Sequence, residues 1–249
     1  MQALGKTLRS FGQSLDKVGV ALEGRFSYTE RLVPSTRLVG YAGQKPNVDE
    51  SSFIAPSASV VGEVTVGKGS SIWYGATVRG DVNHITIGEN TNVQDQAVIH
   101  AAKIANDFPT IIGNNVTIGP SAVIHACKIS NQCIIGTGAQ VLDGAEVGEN
   151  SIITAGSIVT MGKKVPAGQL WSGIPARPVR DLTSDEIEFI KQCSLDYVKW
   201  SEVHAGENAK SFEQIELEKE NRKIMSTVGE LGFEQKEEER PDTGLFFKY

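Results

Sequence analysis

The chain has 249 residues, 40% hydrophobic and 22% charged, a composition that belongs to a folded protein rather than a disordered one. Its net charge of −6 speaks against nucleic acid as a main partner, and it has no apolar run long enough to cross a membrane as a helix. Three cysteines, Cys127, Cys133 and Cys193, are odd in number and too few for a disulfide framework, so small buried thiols in a reducing compartment are expected.

Residues 1–24 carry Leu4, Leu8, Phe11, Leu15, Val18 and Leu22 at the a and d positions of a heptad, which predicts an amphipathic helix. Lys6, Arg9, Asp16, Lys17 and Glu23 make its other face mixed in charge. Packing on a neighbouring subunit is the first expectation for this helix, with a membrane-surface position as the alternative. A cleaved transit peptide is a third reading, against which Asp16 and Glu23 count. Residues 25–53 read as an extended lead-in.

From Ile54 onward aliphatic residues recur every six positions. The runs are Ile54, Val60, Val66, Ile72, Val78; then Ile87, Val93, Ile99; then Ile112, Ile118, Ile124; and last Ile129 through Val141, Val147, Ile153, Val159 and Val165 to Trp171. Neither a helix nor an alternating strand has this period. A triangular solenoid does: each hexapeptide makes one face, three close a coil, the aliphatic residue points to the axis, and the glycine that often follows makes the corner. The fold class expected is all-β with flanking helices, a left-handed parallel β-helix over residues 54–180 with about six to seven coils stacked at about 4.8 Å.

The repeat breaks phase between Val78 and Ile87, carries an insertion from about Ala102 to Pro109, and is one residue short between Ile124 and Ile129. Corner insertions of this kind are frequent places for function. His100 and His125 each follow a core aliphatic residue, Ile99 and Ile124, one coil apart. Both imidazoles then project from the same edge, close enough to share a metal, and imidazole suits zinc. His84 reads as a solvated corner residue.

Residues 181–232 should be helical. Thr183 and Glu186 form a capping box, so a helix begins near Ser184. Its apolar side, Ile187, Ile190, Leu195, Tyr197, Val198 and Trp200, should lie on a flat face of the solenoid. His204 reads as a capping or surface residue at the end of that helix, and Tyr197 as a packing residue. A turn near Gly206 leads to a second, highly charged helix at about Ser211 to Leu231, and residues 233–249 read as an extended tail.

Several segments resemble the γ-class carbonic anhydrase family: Ser70 to Asn83, with Arg79-Gly80-Asp81-Val82-Asn83 at its end; Asn92-Val93-Gln94-Asp95; Pro109 to Gly113; and Trp171 to Arg177. The last is shared by many hexapeptide proteins; Arg79 to Asn83 and Asn92 to Asp95, in this order, are much more specific. The first helix and the junction at Glu207 to Lys210 resemble the family's mitochondrial branch. The resemblance implies a trimer with zinc between subunits, His100 and His125 coming from one chain and a third histidine from its neighbour. Pro120 stands where that third histidine is expected, and proline offers no side-chain ligand.

Val82 and Ala101-Ala102-Lys103 stand where some members carry acid–base glutamates. Arg79, Asp81 and Gln94 are retained: in the family the first two form an ion pair across the trimer interface, and Gln94 lies near the metal-bound solvent. The mitochondrial branch implies homologous subunits as trimer partners, attachment to the membrane arm of respiratory complex I, and a peripheral position on the matrix side of the inner membrane. The resulting expectation is an assembly subunit with an incomplete zinc site. An active carbonic anhydrase and a hexapeptide acyltransferase, which shares the solenoid, are the alternatives.

Overall fold

A computed structural model describes residues 2–24, 37–103 and 108–230. The predicted tail at 233–249, residues 104–107 of the insertion, and residues 25–36 of the predicted lead-in lie outside the described residues. The chain divides into two units, which are described separately: the N-terminal helix, and the solenoid with its C-terminal helices.

Helix α1 spans Gln2–Glu23. The heptad places its six large apolar residues along one stripe, and all six, Leu4, Leu8, Phe11, Leu15, Val18 and Leu22, stand exposed.

Beyond it the hexapeptide rule builds a parallel β-solenoid. The first face stacks Ser59–Val66 (its first half), the start of Thr77–Ile87, Val98–His100, Val123–His125, Gln140–Val141 and Ile158–Val159. The second face stacks the ends of the two long strands on Thr110–Ile112, Lys128–Ile129, Glu146–Val147 and Lys164–Val165. Because Ser59–Val66 and Thr77–Ile87 run round the corner between these faces, the two form one 12-stranded sheet. The third face is an 8-stranded sheet from Phe53–Ile54 to Gln169–Ser172, closed by the antiparallel strand Arg177–Asp181.

Parallel pairing begins before Ile54. Leu38–Val39 and Asn47–Val48 both pair with Ser59–Val66, so part of the predicted lead-in belongs to the solenoid.

The predicted inward column is the core. Val60, Val78, Ile99, Ile124, Val141 and Val159 lie on successive coils and are fully buried. Buried alanines two positions earlier, Ala58, Ala76, Ala97, Ala122 and Ala139, leave room for their branched neighbours. Glycine follows the aliphatic residue because coils stack too closely for a side chain there: a Cβ on Gly88 would stand 2.6 Å from the backbone of Gly113 in the next coil. At the corner between the second and third faces, Asn114 and Asn131 act as rungs, accepting from the N–H of Glu89 at 2.8 Å and of Asn114 at 2.9 Å.

Coil length follows from the register. Val60, Val78, Ile99, Ile124, Val141 and Val159 pair in turn, giving coils of 18, 21, 25, 17 and 18 residues. The three unequal lengths match the three phase breaks read from sequence, and all three fall at the corner between the first and second faces. There Asp81 to His84 bulge, Ala102 and Phe108 pair across the neck of the insertion, and Ala126 turns tightly with a φ of 50°.

Helix α2, Ser184–Ala209, starts at the predicted capping box, with Thr183 and Glu186 each satisfying a backbone N–H of the other. It lies on the third face, against Phe53–Ile54, Ser71–Ile72, Asn92–Val93 and Thr117–Ile118, and buries Ile190, Cys193, Ser194 and Ser201. It runs through Gly206, where a turn was predicted, and ends at Lys210; helix α3 follows at Phe212–Glu230.

Arg180 adds a fork of two 2.7 Å hydrogen bonds to Glu186. Those bonds, with the Thr183 N–H, hold the Glu186 carboxyl at about 2. A depressed carboxylate pKa stabilises the fold fully above its unfolded value, and that stability drains away as pH falls from about 4.5 towards about 2. Thr183→Ala should cost about 1 kcal/mol and raise amide exchange in the first turn of α2. Glu186→Gln should flatten the acid limb of the unfolding curve over that pH window.

Candidate functional site

The irregular corner gathers most of the predicted site. Arg79, His100 and His125 occupy neighbouring rungs of one ladder on the outer side of the first face. Asp81 reaches them from the three-residue bulge, and Asp143 from the corner of the coil beyond.

The side chains form a line. Arg79 is ion-paired to Asp81. Asp81 Oδ1 accepts from His100 Nε2 at 3.0 Å; His100 Nδ1 faces His125 Nε2 at 3.2 Å; and His125 Nδ1 donates to Asp143 Oδ1. The Arg79–Asp81 pair closes within the chain. Burial pushes the Asp81 carboxyl up, but its hydrogen bonds from His100 and Arg79 outweigh that and hold it below its ordinary value.

Carboxylates only accept hydrogen bonds. The ring nitrogens facing Asp81 and Asp143 are therefore the protonated ones, which leaves the lone pairs of His100 Nδ1 and His125 Nε2 pointing at each other. Two lone pairs at 3.2 Å repel unless a cation, a proton or a metal ion, stands between them. Two nitrogens bound to one tetrahedral zinc lie about 3.3 Å apart, so the pair has the chemistry and the spacing of two zinc ligands. Among the described residues no group of three His, Cys, Asp or Glu side chains is placed to hold a metal.

Pro120 and Gln94 are elsewhere. Pro120 sits at the corner between the third and first faces, its carbonyl accepting from Gly138 N–H at 2.8 Å and its neighbour Ser121 donating to Asp95 at 2.9 Å. A turn at Pro120 and Ser121 and then the strand Val123–His125 separate it from His125 at the opposite edge of the first face. Gln94 is buried on the third face beside the Pro120 corner. It donates to Asn92 at 2.9 Å, and Asn92 donates to Thr117 at 2.9 Å. Tyr197 of α2 covers it and shares a hydrogen bond with it; burial pushes that phenol up to about 12. The residues singled out thus fall on two separate edges: Arg79, Asp81, His100, His125 and Asp143 on one, Gln94 and Pro120 on the other.

Three other residues complete the comparison with sequence. His84 is exposed, as expected for a corner. His204, read as a capping or surface residue, instead lies within α2. Its ring packs edge-on against Trp73 at 4.8 Å and Nδ1 meets the Tyr74 hydroxyl at 2.9 Å, because the helix continues past it and turns it onto the first coils. Asp143 was not singled out in sequence, although one coil length below His125 is where a carboxylate partner for its ring would be sought.

A family model described as the C-terminal domain of mitochondrial gamma carbonic anhydrase 1 matches residues 187–230. Gamma carbonic anhydrase 2, mitochondrial, of Arabidopsis thaliana is 45% identical over 223 residues, which is 88% of this chain and 80% of that protein. A probable carbonic anhydrase of Methanocaldococcus jannaschii is 49% identical over 156 residues, covering 63% of this chain and 96% of its own. Among solved structures, a hexapeptide transferase family protein from Anaplasma phagocytophilum superposes with a TM-score of 0.63 at 44% identity, over 66% of this chain and 96% of that one.

Proposed function

The chain belongs to the γ-carbonic anhydrase family, and from that premise we propose that it is an assembly subunit that contributes half of a zinc site and relies on a homologous chain for the rest. The observation that carries this reading is the separation of the two edges. His100 and His125 stand at one end of the first face, and Pro120 stands at the other, where only packing between chains could bring a third ligand to the pair.

In a trimer of like-facing subunits, each interface joins the histidine edge of one chain to the Pro120 edge of the next. Copies of this chain alone make no complete site. A neighbour with histidine at the position of Pro120 makes one, with His100 and His125 as the ligands from this chain. Zinc bound there supplies Lewis acidity for the hydration of carbon dioxide. Asp81 holds the His100 ring, and Arg79, partly exposed beside it, offers a guanidinium to a bicarbonate oxygen. Gln94 of this chain lies on the Pro120 edge, so it faces the next interface rather than the site that His100 and His125 would complete.

Relatives named mitochondrial, at 45% and 44% identity over most of the chain, support a mitochondrial setting. We place the trimer peripherally on the matrix side of the inner membrane, on the membrane arm of complex I, with homologous subunits as partners. Purification of the chain from its native membranes should yield a mixed trimer holding less than one zinc per subunit, together with complex I subunits. Stoichiometric zinc and carbon dioxide hydration by this chain expressed alone would overturn the incomplete-site reading. Retention on coenzyme A with acyl transfer would favour the transferase reading that the name of the Anaplasma structure raises.

A further inference from the structure

We propose that Asp143 is a positioning residue that sets which nitrogen His125 offers to the shared cation, matching the role of Asp81 at His100. The proposal deepens the reading of the histidine edge and rests on it only for the identity of the cation.

The geometry makes the assignment specific. Asp143 takes the Nδ1 side of His125, whereas Asp81 takes the Nε2 side of His100. The two carboxylates therefore select opposite tautomers on adjacent rungs, and the nitrogens left free are unlike: Nδ1 from His100 and Nε2 from His125. Without that selection a neutral imidazole places its proton on either nitrogen, and half of the site would face the cation with an N–H.

Asp143 is also held in place by its corner. The next residue, Gly144, has a φ of 67° and donates its N–H to Ala126 at 2.7 Å. The Phe108 ring, at the foot of the insertion, lies so close to that corner that a Cβ on Gly144 would stand 3.2 Å from it. The carboxylate is thus anchored on the coil beyond His125, on backbone that the histidine itself does not shape. A purely structural aspartate at a corner would hydrogen-bond backbone N–H groups; this one reaches the imidazole.

The test is the nitrogen NMR spectrum of the full-length chain labelled in its four histidines, at one fixed pH and without added metal. His125 should show a protonated Nδ1, and His100 a protonated Nε2. Asp143→Ala should abolish the protonated-Nδ1 signature of His125 and leave the Nε2 signature of His100 intact; Asp81→Ala should do the reverse. Asp143→Leu, which keeps a similar volume but can neither accept nor donate, serves as the second variant and should likewise lose the protonated-Nδ1 signature of His125. An unchanged His125 pattern in either Asp143 variant, with the His100 pattern reporting an intact fold, would overturn the assignment. In the zinc-loaded mixed trimer the same substitution should weaken zinc binding by about 10–100-fold. If the ring responds but no zinc is ever held, the zinc reading fails and the role of Asp143 stands.

Discussion

Replacing Pro120 with histidine should turn the chain, expressed alone, from a protein without stoichiometric zinc into one that holds about one zinc per chain and hydrates carbon dioxide. The substitution removes no hydrogen bond, since proline has no N–H to give and the carbonyl that accepts from Gly138 stays in place. It cannot build a site within the chain, because position 120 and His125 lie at opposite edges of the first face, with the strand Val123–His125 running from one towards the other. Zinc uptake by the variant would therefore report two things together: that copies of this chain pack edge to edge, and that the missing ligand is the one at position 120. Elemental analysis and a hydration assay read both. A variant that forms trimers yet takes up no zinc would mean that His100 and His125 are not the ligand pair.

The second large effect separates neighbours in sequence. Ile124→Ala should destabilise the fold by about 2–5 kcal/mol, whereas His125→Ala should change it by about 1 kcal/mol or less. Ile124 is fully buried on the axis, with Ile99 and Val141 above and below it, so its loss leaves a cavity between coils that backbone pairing keeps from collapsing. His125 points outward, and among the described residues its ring bonds to His100 and Asp143. Urea denaturation of the two variants would give the comparison. Equal loss in both would move His125 from the functional edge into the structural frame.

The six-residue period made most of the fold legible. The main inward column was identified from spacing alone, but Val64, Ile85 and Val116, buried two positions before Val66, Ile87 and Ile118, were not. His100 and His125 were legible from that column, as residues directly after Ile99 and Ile124 must face outward. Asp143 was less visible: its role depends on a side chain reaching between rungs, which the ladder does not encode. His204 was misjudged because Gly206 suggested a helix end. The contacts of α2 with the first coils carry the helix past that glycine, and tertiary packing of this size outweighs about 1 kcal/mol of glycine propensity. The parting of Gln94 from the histidines follows from the triangle itself: six residues are one side, so positions six apart sit on different edges.

The unequal coils have a consequence for folding. A stack of near-identical 18-residue turns invites threading errors, in which one turn pairs with the wrong neighbour and still satisfies its backbone. Here the turns after Val78, Ile99 and Ile124 differ in length, and their surplus or shortfall is confined to one corner. A chain slipped by one turn would press the bulge at Asp81 against a rung that has no room for it and stretch the short turn at Ala126 across a gap. Each odd length thus acts as an address, telling every turn which neighbour is its own.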